Sequence, residues 1–219
     1  MVTLDDVKGN PVLDSFIRKG NEFLGAMGYT EHSYRHINLV SSISKNILDK
    51  LDYGKREAEL ASIAGYLHDV GNVVSRNDHG ISGAAICCPI LLQMGMNPDE
   101  VAIVISAIAN HEEQYGQPVN TVAAALILAD KSDVHRSRVR NREFATFDIH
   151  DRVNYAVENS LVWVDEKKRT ITMELTIDIE ITPVMEYFEI FLTRMILCRR
   201  AAVFLNCVFE LVVNGARLL

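Results

Sequence analysis

The sequence of 219 residues predicts a mainly α-helical fold with a small C-terminal α+β appendage of ββαβ order. As far as about residue 130, apolar residues recur at intervals of three and four, which is the period of amphipathic helices, and a polar stretch follows over 131–152. Beyond that point apolar and polar residues alternate over 171–180, which is the period of a half-buried strand. We therefore expect a helical domain over 1–152 and the ββαβ appendage over 153–219.

Three helices are predicted before residue 70, and they cover 11–27, 31–51 and 57–69. The apolar face of the third helix is formed by residues at i, i+3, i+4 and i+7, namely Leu60, Ile63, Ala64 and Leu67. Gly71 follows directly, and we expect it to stop this helix in the left-handed conformation.

Three further helices are predicted in the middle of the chain. His79 starts the first of them, and Pro89 is expected to bend or end it because proline lacks a backbone N–H. Asn97 and Pro98 are typical of a helix start, with a capping side chain followed by proline in the first position. Thr121 is expected to cap the third, shorter helix.

The appendage begins with a short apolar run, a charged turn and an alternating strand, at 161–164, 165–169 and 171–179. A long amphipathic helix is predicted from Pro183 to about Asn206, followed by a third strand over 208–213. An alternating strand at the edge of such a sheet needs cover. We therefore expect the appendage to pair two copies of the chain into a homodimer.

Composition limits the function classes. A formal net charge of −7 argues against a nucleic-acid polymer as the partner. The most apolar region, 184–213, carries six charged residues, so we expect no membrane span. The four cysteines show no C-x-x-C spacing and the N-terminus has no signal-peptide pattern. These features are typical of a cytoplasmic protein with reduced thiols.

Ligand-type side chains stand where the apolar stripes of the predicted helices end. They are His36, His68, Asp69, His79, His111 and Asp130. A charged group is rarely buried unless it is paired or binds a metal, so Asp130 on an apolar stripe indicates a cation nearby. Histidine nitrogen combined with carboxylate oxygen suits Mn, Fe, Co, Ni or Zn, and we do not distinguish these from Mg. We expect one or two divalent ions.

The order of these residues resembles the HD-domain superfamily of metal-dependent phosphohydrolases, which have a helical-bundle fold. The motifs that carry the resemblance are RHINLV, GYLHDVGN, DHGISGA, NHEE and LADKSD, within about 31–135. The resemblance implies that a first metal is held by His36, His68, Asp69 and Asp130. It also implies that His79 and His111 help to hold a second metal, with Asp69 bridging the two.

The stretch HEEQYGQP, starting at His111, also resembles the HD-GYP cyclic-dinucleotide phosphodiesterases. Three positions depart from that subfamily. Its GYP tripeptide reads Gly-Gln-Pro at 116–118, Asn110 stands in place of a second histidine, and His32 stands in place of a glutamate. We expect His32 to lie at the surface or to support the ligands.

A metal ion can lower the pKa of bound water and polarise a phosphoryl oxygen, and cations nearby would stabilise the developing charge. We therefore assign catalytic roles to Asp69 and Lys131, and substrate binding to Lys131, Arg136 and Arg140. The last two share a face if 133–142 is helical. The resemblance implies a small phosphorylated substrate, most simply a nucleotide.

Two alternatives share this scaffold. One is a binding module that senses a nucleotide or second messenger without hydrolysing it. The other is a di-iron oxygenase, which would be coloured, redox-active and oxygen-consuming. The second His-Asp pair, His150-Asp151, follows a polar stretch without such stripes, and we interpret it as a chance occurrence.

Overall fold

The computed structural model of the chain describes residues 1–218, which form a helical bundle followed by a small sheet. The helices are α1 (Leu4–Lys8), α2 (Pro11–Ala26), α3 (Tyr34–Lys50), α4 (Lys55–Leu67), α5 (His79–Gln93), α6 (Pro98–Ala109), α7 (Thr121–Ser132), α8 (Ile149–Ala156) and α9 (Val184–Phe204). The strands are β1 (Val157–Asp165), β2 (Thr170–Ile177), β3 (Val208–Val213) and β4 (Ala216–Arg217). Short 3-10 turns cover Val70–Val73, Arg136–Arg138 and Phe144–Thr146. The predicted fold class is confirmed.

Side-chain caps set the starts of the helices. Asn97 caps α6 as predicted, since its side chain accepts a hydrogen bond from the Asp99 N–H. Helix α3 begins three residues later than predicted because the Ser33 hydroxyl is its cap. The cap of α7 is Asn120 rather than Thr121, because the Asn120 side chain accepts from the Ala123 N–H at 2.7 Å. Each cap satisfies an N–H that the helix itself leaves unpaired.

The prediction that Pro89 bends or ends its helix is wrong about the ending, because α5 continues to Gln93. Proline removes one hydrogen bond to the carbonyl four residues earlier. Both Pro89 and Ala85 lie on the exposed side of α5, so water can replace the missing donor.

The prediction of a left-handed Gly71 is also wrong. Gly71 lies in the 3-10 turn, and its φ is not among the positive values of the described glycines. Its missing side chain is required by a close approach instead: a Cβ here would lie 2.0 Å from the His79 carbonyl oxygen and 2.6 Å from the Gly83 nitrogen. The 3-10 turn that follows α4 thereby packs directly against the start of α5.

Helices α4 and α7 form the centre of the bundle. Every residue from Leu60 to Val70 and from Val122 to Val134 is buried. Helix α3 packs closely along α4, where a Cβ at Gly65 would lie 2.8 Å from the Ser41 Cα. This packing brings the polar ends of α3, α4 and α7 to one region of the bundle.

The C-terminal sheet has the strand order β1-β2-β3-β4. Strands β1 and β2 form an antiparallel hairpin, β2 and β3 are parallel, and β4 is antiparallel to β3. Helix α9 makes the crossover that a parallel pair needs. The predicted ββαβ order is thus observed, and the two-residue β4, too short for a sequence pattern, follows it.

Helix α9 joins the sheet to the helical bundle. Its buried residues Tyr187, Phe191 and Met195 belong to the same apolar core as the residues of α4 and α7. The predicted boundary after residue 152 lies inside α8. Within residues 1–218, none of the helices combines the length and apolar character needed to cross a bilayer.

Candidate metal centre

The six predicted ligands converge on one buried region from the ends of five helices. His36 lies in the first turn of α3, His68 and Asp69 follow α4, His79 begins α5, His111 follows α6 and Asp130 lies near the end of α7. The rings of His36, His68, His111 and His79 form a continuous row, with centroids 4.9–5.1 Å apart.

The first half of this cluster is built from two opposed ring nitrogens and two carboxylates. The Nε2 atoms of His36 and His68 are 3.1 Å apart. Asp69 Oδ2 lies 3.4 and 3.3 Å from them, and Asp130 Oδ1 lies 3.4 and 3.5 Å from them. Two nitrogens and two oxygens that can bind a metal ion therefore surround one point.

The other nitrogen of each ring explains why the Nε2 atoms are available to bind a cation. His68 Nδ1 lies 2.8 Å from the Gly65 carbonyl oxygen, which only accepts, and His36 Nδ1 lies 2.6 Å from an Asp133 carboxylate oxygen. Both Nδ1 atoms are therefore donors, and in neutral rings the two Nε2 lone pairs point at each other. Such an arrangement is repulsive unless a proton or a metal ion lies between the rings. Burial lowers the pKa of His68, but the neighbouring aspartates outweigh it and raise this pKa to about 10.

The second half repeats this arrangement. His79 Nε2 and His111 Nε2 are 3.0 Å apart, while their Nδ1 atoms lie 3.0 and 2.6 Å from the carbonyl oxygens of Arg76 and Ile108. The second carboxylate oxygen of Asp69, Oδ1, lies 3.3 Å from His79 Nε2. Asp69 therefore presents one oxygen to each pair of rings.

The residues of the cluster fit divalent ions. Asp69 Oδ2 is buried and has no hydrogen-bond partner within residues 1–218, although such a group is costly to leave unpaired. One ligand atom from each of His36, His68 and Asp130 lies within 4.8 Å of the others, and the same holds for His68, Asp69 and His111. A bound cation would satisfy both the orphaned oxygen and the opposed lone pairs.

The electrostatics of the cluster favour ionised carboxylates. Burial raises the pKa of Asp130, but Lys131 and the histidines lower it more, so it lies well below its usual range. Burial likewise raises the pKa of Asp69, and the adjacent His68 and His32 outweigh it. Burial and the positive charge of neighbouring His79 lower the pKa of His111 to about 3. Both aspartates are thus negative at neutral pH and can bind a cation.

Adjacent His68 and Asp69 can act together because the helix has ended. Neighbours in a regular helix point about 100° apart. Helix α4 stops at Leu67, and Asp69 has φ −94° and ψ 0°, so His68 Nε2 and Asp69 Oδ2 come within 3.3 Å. The Asn72 side chain, on the next turn, donates to Asp69 Oδ1 at 2.8 Å and fixes the carboxylate.

Asp133 orients the first histidine. Its carboxylate accepts from His36 Nδ1 at 2.6 Å and from two nitrogens of the Arg35 guanidinium at 2.8 and 3.2 Å. A carboxylate on the far nitrogen of a metal-binding histidine fixes the ring and raises its basicity.

Replacing Asp133 with alanine should therefore weaken metal binding by about ten- to a hundredfold without abolishing the fold. Equilibrium dialysis against Mn²⁺ or Zn²⁺ measures the effect. Asp49→Ala, at the exposed end of the same α3 that carries His36, is the matched control. An unchanged affinity in Asp133→Ala would contradict this role.

Lys131, predicted to contact substrate, is held by carboxylates inside the protein. It is 3% exposed, and its Nζ donates to Asp130 Oδ2 at 2.6 Å and lies 3.3 Å from Glu113 Oε2. Arg194 of α9 donates to the other oxygen of Glu113 at 2.8 Å. Lys131 is thus placed to turn Asp130 Oδ1 towards the histidines.

Arg136 and Arg140 are not brought to the cluster. The condition that 133–142 be helical is not met, because only Arg136–Arg138 forms a 3-10 turn. Arg136 pairs with Glu158 at 3.1 Å, and the exposed Arg140 donates to the Asn21 carbonyl oxygen at 3.2 Å.

A second cation beside the cluster is Arg76, which sequence reasoning missed. Its Nη1 lies 4.0 Å from Asp69 Oδ1 and 3.5 Å from His79 Nε2. Arg194 was missed as well. It is a charge on the buried stripe of α9, and the reasoning that selected Asp130 on the stripe of α7 would have identified it.

Glu112 was also missed, although it follows His111 directly. It accepts from the Gly80 N–H at 2.7 Å and lies 3.3 Å from His79 Nδ1, so it holds the start of α5. Burial raises the pKa of Glu112, but His79 lowers it more, to about 2.

The remaining polar residues of the predictions lie around the cluster. His32 is buried rather than at the surface, with Nδ1 2.8 Å from the Thr30 carbonyl and Nε2 3.1 Å from Arg138 Nη2. Asn110 donates to the Ser106 carbonyl at 2.9 Å. His150 is exposed on α8, apart from the row of rings.

Comparison with known proteins agrees with this geometry. Residues 29–135 match the family model of the HD domain. A search among curated proteins returns no match. The matched segment contains all six residues of the cluster, and it concerns the HD domain in general, so the narrower resemblance to HD-GYP enzymes stays an expectation. Residues 29–135 are therefore an HD domain, a family whose members are mostly metal-dependent phosphohydrolases.

Proposed function

We propose that this protein is a metal-dependent phosphohydrolase that acts on a nucleotide or a related small phosphoester. The observation that carries the proposal is the position of Asp69 between two pairs of opposed imidazole nitrogens. This donor set suits two divalent ions that share one carboxylate.

The residues of the cluster have distinct roles in this proposal. His36, His68 and Asp130 would hold one ion, His79 and His111 would hold the other, and Asp69 would contribute to both. Bound divalent ions supply Lewis acidity, which activates water and polarises a phosphoryl oxygen.

The surrounding residues keep the ligands in place. Asp133 fixes the ring of His36, and Glu112 supports His79. Lys131 neutralises Asp130 and Glu113 within the buried interior. The chain therefore provides a fixed anionic site rather than a side-chain nucleophile.

Metal analysis of the purified protein followed by a substrate panel tests the function. Mono-, di-, tri- and cyclic nucleotides would be assayed with Mn²⁺, Co²⁺, Ni²⁺ and Zn²⁺ for release of phosphate or ring opening. Turnover that requires added metal and stops on chelation is the expected result. Tight nucleotide binding without product, or oxygen consumption by a coloured di-iron form, would contradict hydrolysis.

We also propose that the free edge of β1 pairs two copies of the chain. The start of β1 is tied to the bundle, since the Ser160 hydroxyl donates to the Ser132 carbonyl at 2.5 Å. The rest of its outer edge has no strand partner within residues 1–218, and Trp163 there is 56% exposed.

Trp163→Lys should convert the dimer to a monomer, because a lysine on a strand edge opposes edge-to-edge pairing. Light scattering gives the mass in solution. A wild-type protein that is monomeric, or a variant that stays dimeric, would contradict this proposal.

A further inference from the structure

A cavity of about 420 Å³ lies beside the metal centre, between the HD domain and the C-terminal helices. Its volume is within the range of small-molecule sites. Five of its lining residues matter here: Arg76, Arg194, Asp148, Asp151 and Phe191. Four of these lie outside the segment that matches the HD family. The cavity also includes His32, whose ring lies 5.5 Å from that of His36.

Arg76 and Arg194 present unused hydrogen-bond donors to this cavity. Arg194 uses its Nε for Glu113, and its two terminal amino groups donate no hydrogen bond within residues 1–218. Arg76 contacts the cluster through Nη1 alone, and its Nη2 and Nε have no hydrogen-bond partner in the same part of the chain. A guanidinium edge with two free N–H groups matches the oxygens of a phosphate.

Both arginines are also held in position by aromatic rings. The Arg194 guanidinium stacks on Phe191 with 4.2 Å to the ring centroid, and Arg76 lies over Tyr29 at 5.8 Å. Stacking fixes the plane of a guanidinium and leaves its N–H edge available.

We propose that Arg76 and Arg194 form a clamp for the phosphoryl group of the substrate. The inference rests on the proposed function and names the residues that recognise its substrate. It replaces Arg136 and Arg140, and it makes α9 a part of the substrate site.

Two other lining residues, Asp148 and Asp151, are acidic, and they indicate the chemistry of the part of the ligand that is not phosphate. Asp148 caps α8 through the Asp151 N–H, and Asp151 is 3.4 Å from Asn141 Nδ2, so both carboxylates keep acceptor capacity. Carboxylates accept from hydroxyl groups and repel a second phosphate. The ligand class is therefore a phosphate ester whose other part carries hydroxyls, such as a sugar or nucleoside.

Calorimetric titration of metal-loaded protein with inorganic phosphate tests the clamp without turnover. Arg76→Gln and Arg194→Gln should each weaken phosphate binding about tenfold, since each removes charge-assisted hydrogen bonds. Arg194→Lys keeps a positive charge beside Glu113 but loses the fork, so it should be weakened as well. Arg200→Gln, exposed on the same α9, is the matched control and should bind like the wild type.

Metal content measured on the same samples separates a clamp from a structural support. Unchanged metal content with weakened phosphate binding supports the clamp. An unchanged affinity in both glutamine variants would overturn it, and a loss confined to Arg76→Gln would overturn the role of Arg194. Parallel loss of metal in the Arg194 variants would also overturn it, because Arg194 would then act only through Glu113 and Lys131. Wild-type protein that binds phosphate yet hydrolyses no ester would reject the proposed function and leave the clamp supported.

Discussion

Asp69→Ala is expected to remove both metal ions and to lower phosphoester hydrolysis by about a thousandfold. The reason is that Asp69 offers Oδ2 to the His36–His68 pair and Oδ1 to His79, so a single substitution depletes both halves of the cluster. Metal-to-protein ratio by mass spectrometry and steady-state kinetics with the best substrate of the panel measure the effect.

The matched control is Asp5→Asn, which replaces an exposed carboxylate in the first turn of α1. This variant should keep both ions. Asp69→Ala should remain folded, since removal of metal also removes the need for this buried charge. A variant that retains one ion per chain would show that Asp69 does not bridge. Full activity in Asp69→Ala would locate the chemistry elsewhere.

Gly71→Ala should destabilise the protein by about 3 kcal/mol or more. The added Cβ would meet the His79 carbonyl at 2.0 Å and the Gly83 nitrogen at 2.6 Å, both of which are backbone atoms. The start of α5 must therefore move, and it carries His79 away from His111. Urea unfolding gives the free-energy change, and metal titration gives the loss of the second ion.

Gly9→Ala is the matched control, because Gly9 has an αR backbone and its added Cβ would make ordinary contacts of 3.4–3.5 Å. It should change the free energy of unfolding by no more than about 0.5 kcal/mol. Equal destabilisation of the two variants would mean that the close approach at Gly71 is absorbed by the surrounding structure.

The sequence predicted the bundle and the cluster because both depend on local periodicity. The stripes that end at His36, His68 and Asp130 required only the 3.6-residue repeat and the cost of burying a charge. The resemblance to HD domains then supplied the pairing of the second half, His79 and His111. The alternation over 171–179 was enough to predict β2.

What the sequence did not predict depends on contacts between distant segments. Gly71 looked like a helix stop because the approach of His79 is not visible in the local pattern. Arg140 looked like a ligand-binding residue because it follows Asp130 closely, whereas Asn21, far away in the sequence, binds it. Arg194 reaches the centre through a crossover helix, and no spacing rule connects it with Glu113.

The position of α9 in the chain bears on how the protein is made. All six ligand residues precede residue 131, whereas the helix that covers α7 starts at Val184, about fifty residues after α7 ends. Chains emerge from the ribosome N-terminus first. The side of α7 that packs against α9 therefore stays exposed until that stretch has been synthesised. Nascent chains stalled in this interval are therefore the species that we expect to need a chaperone.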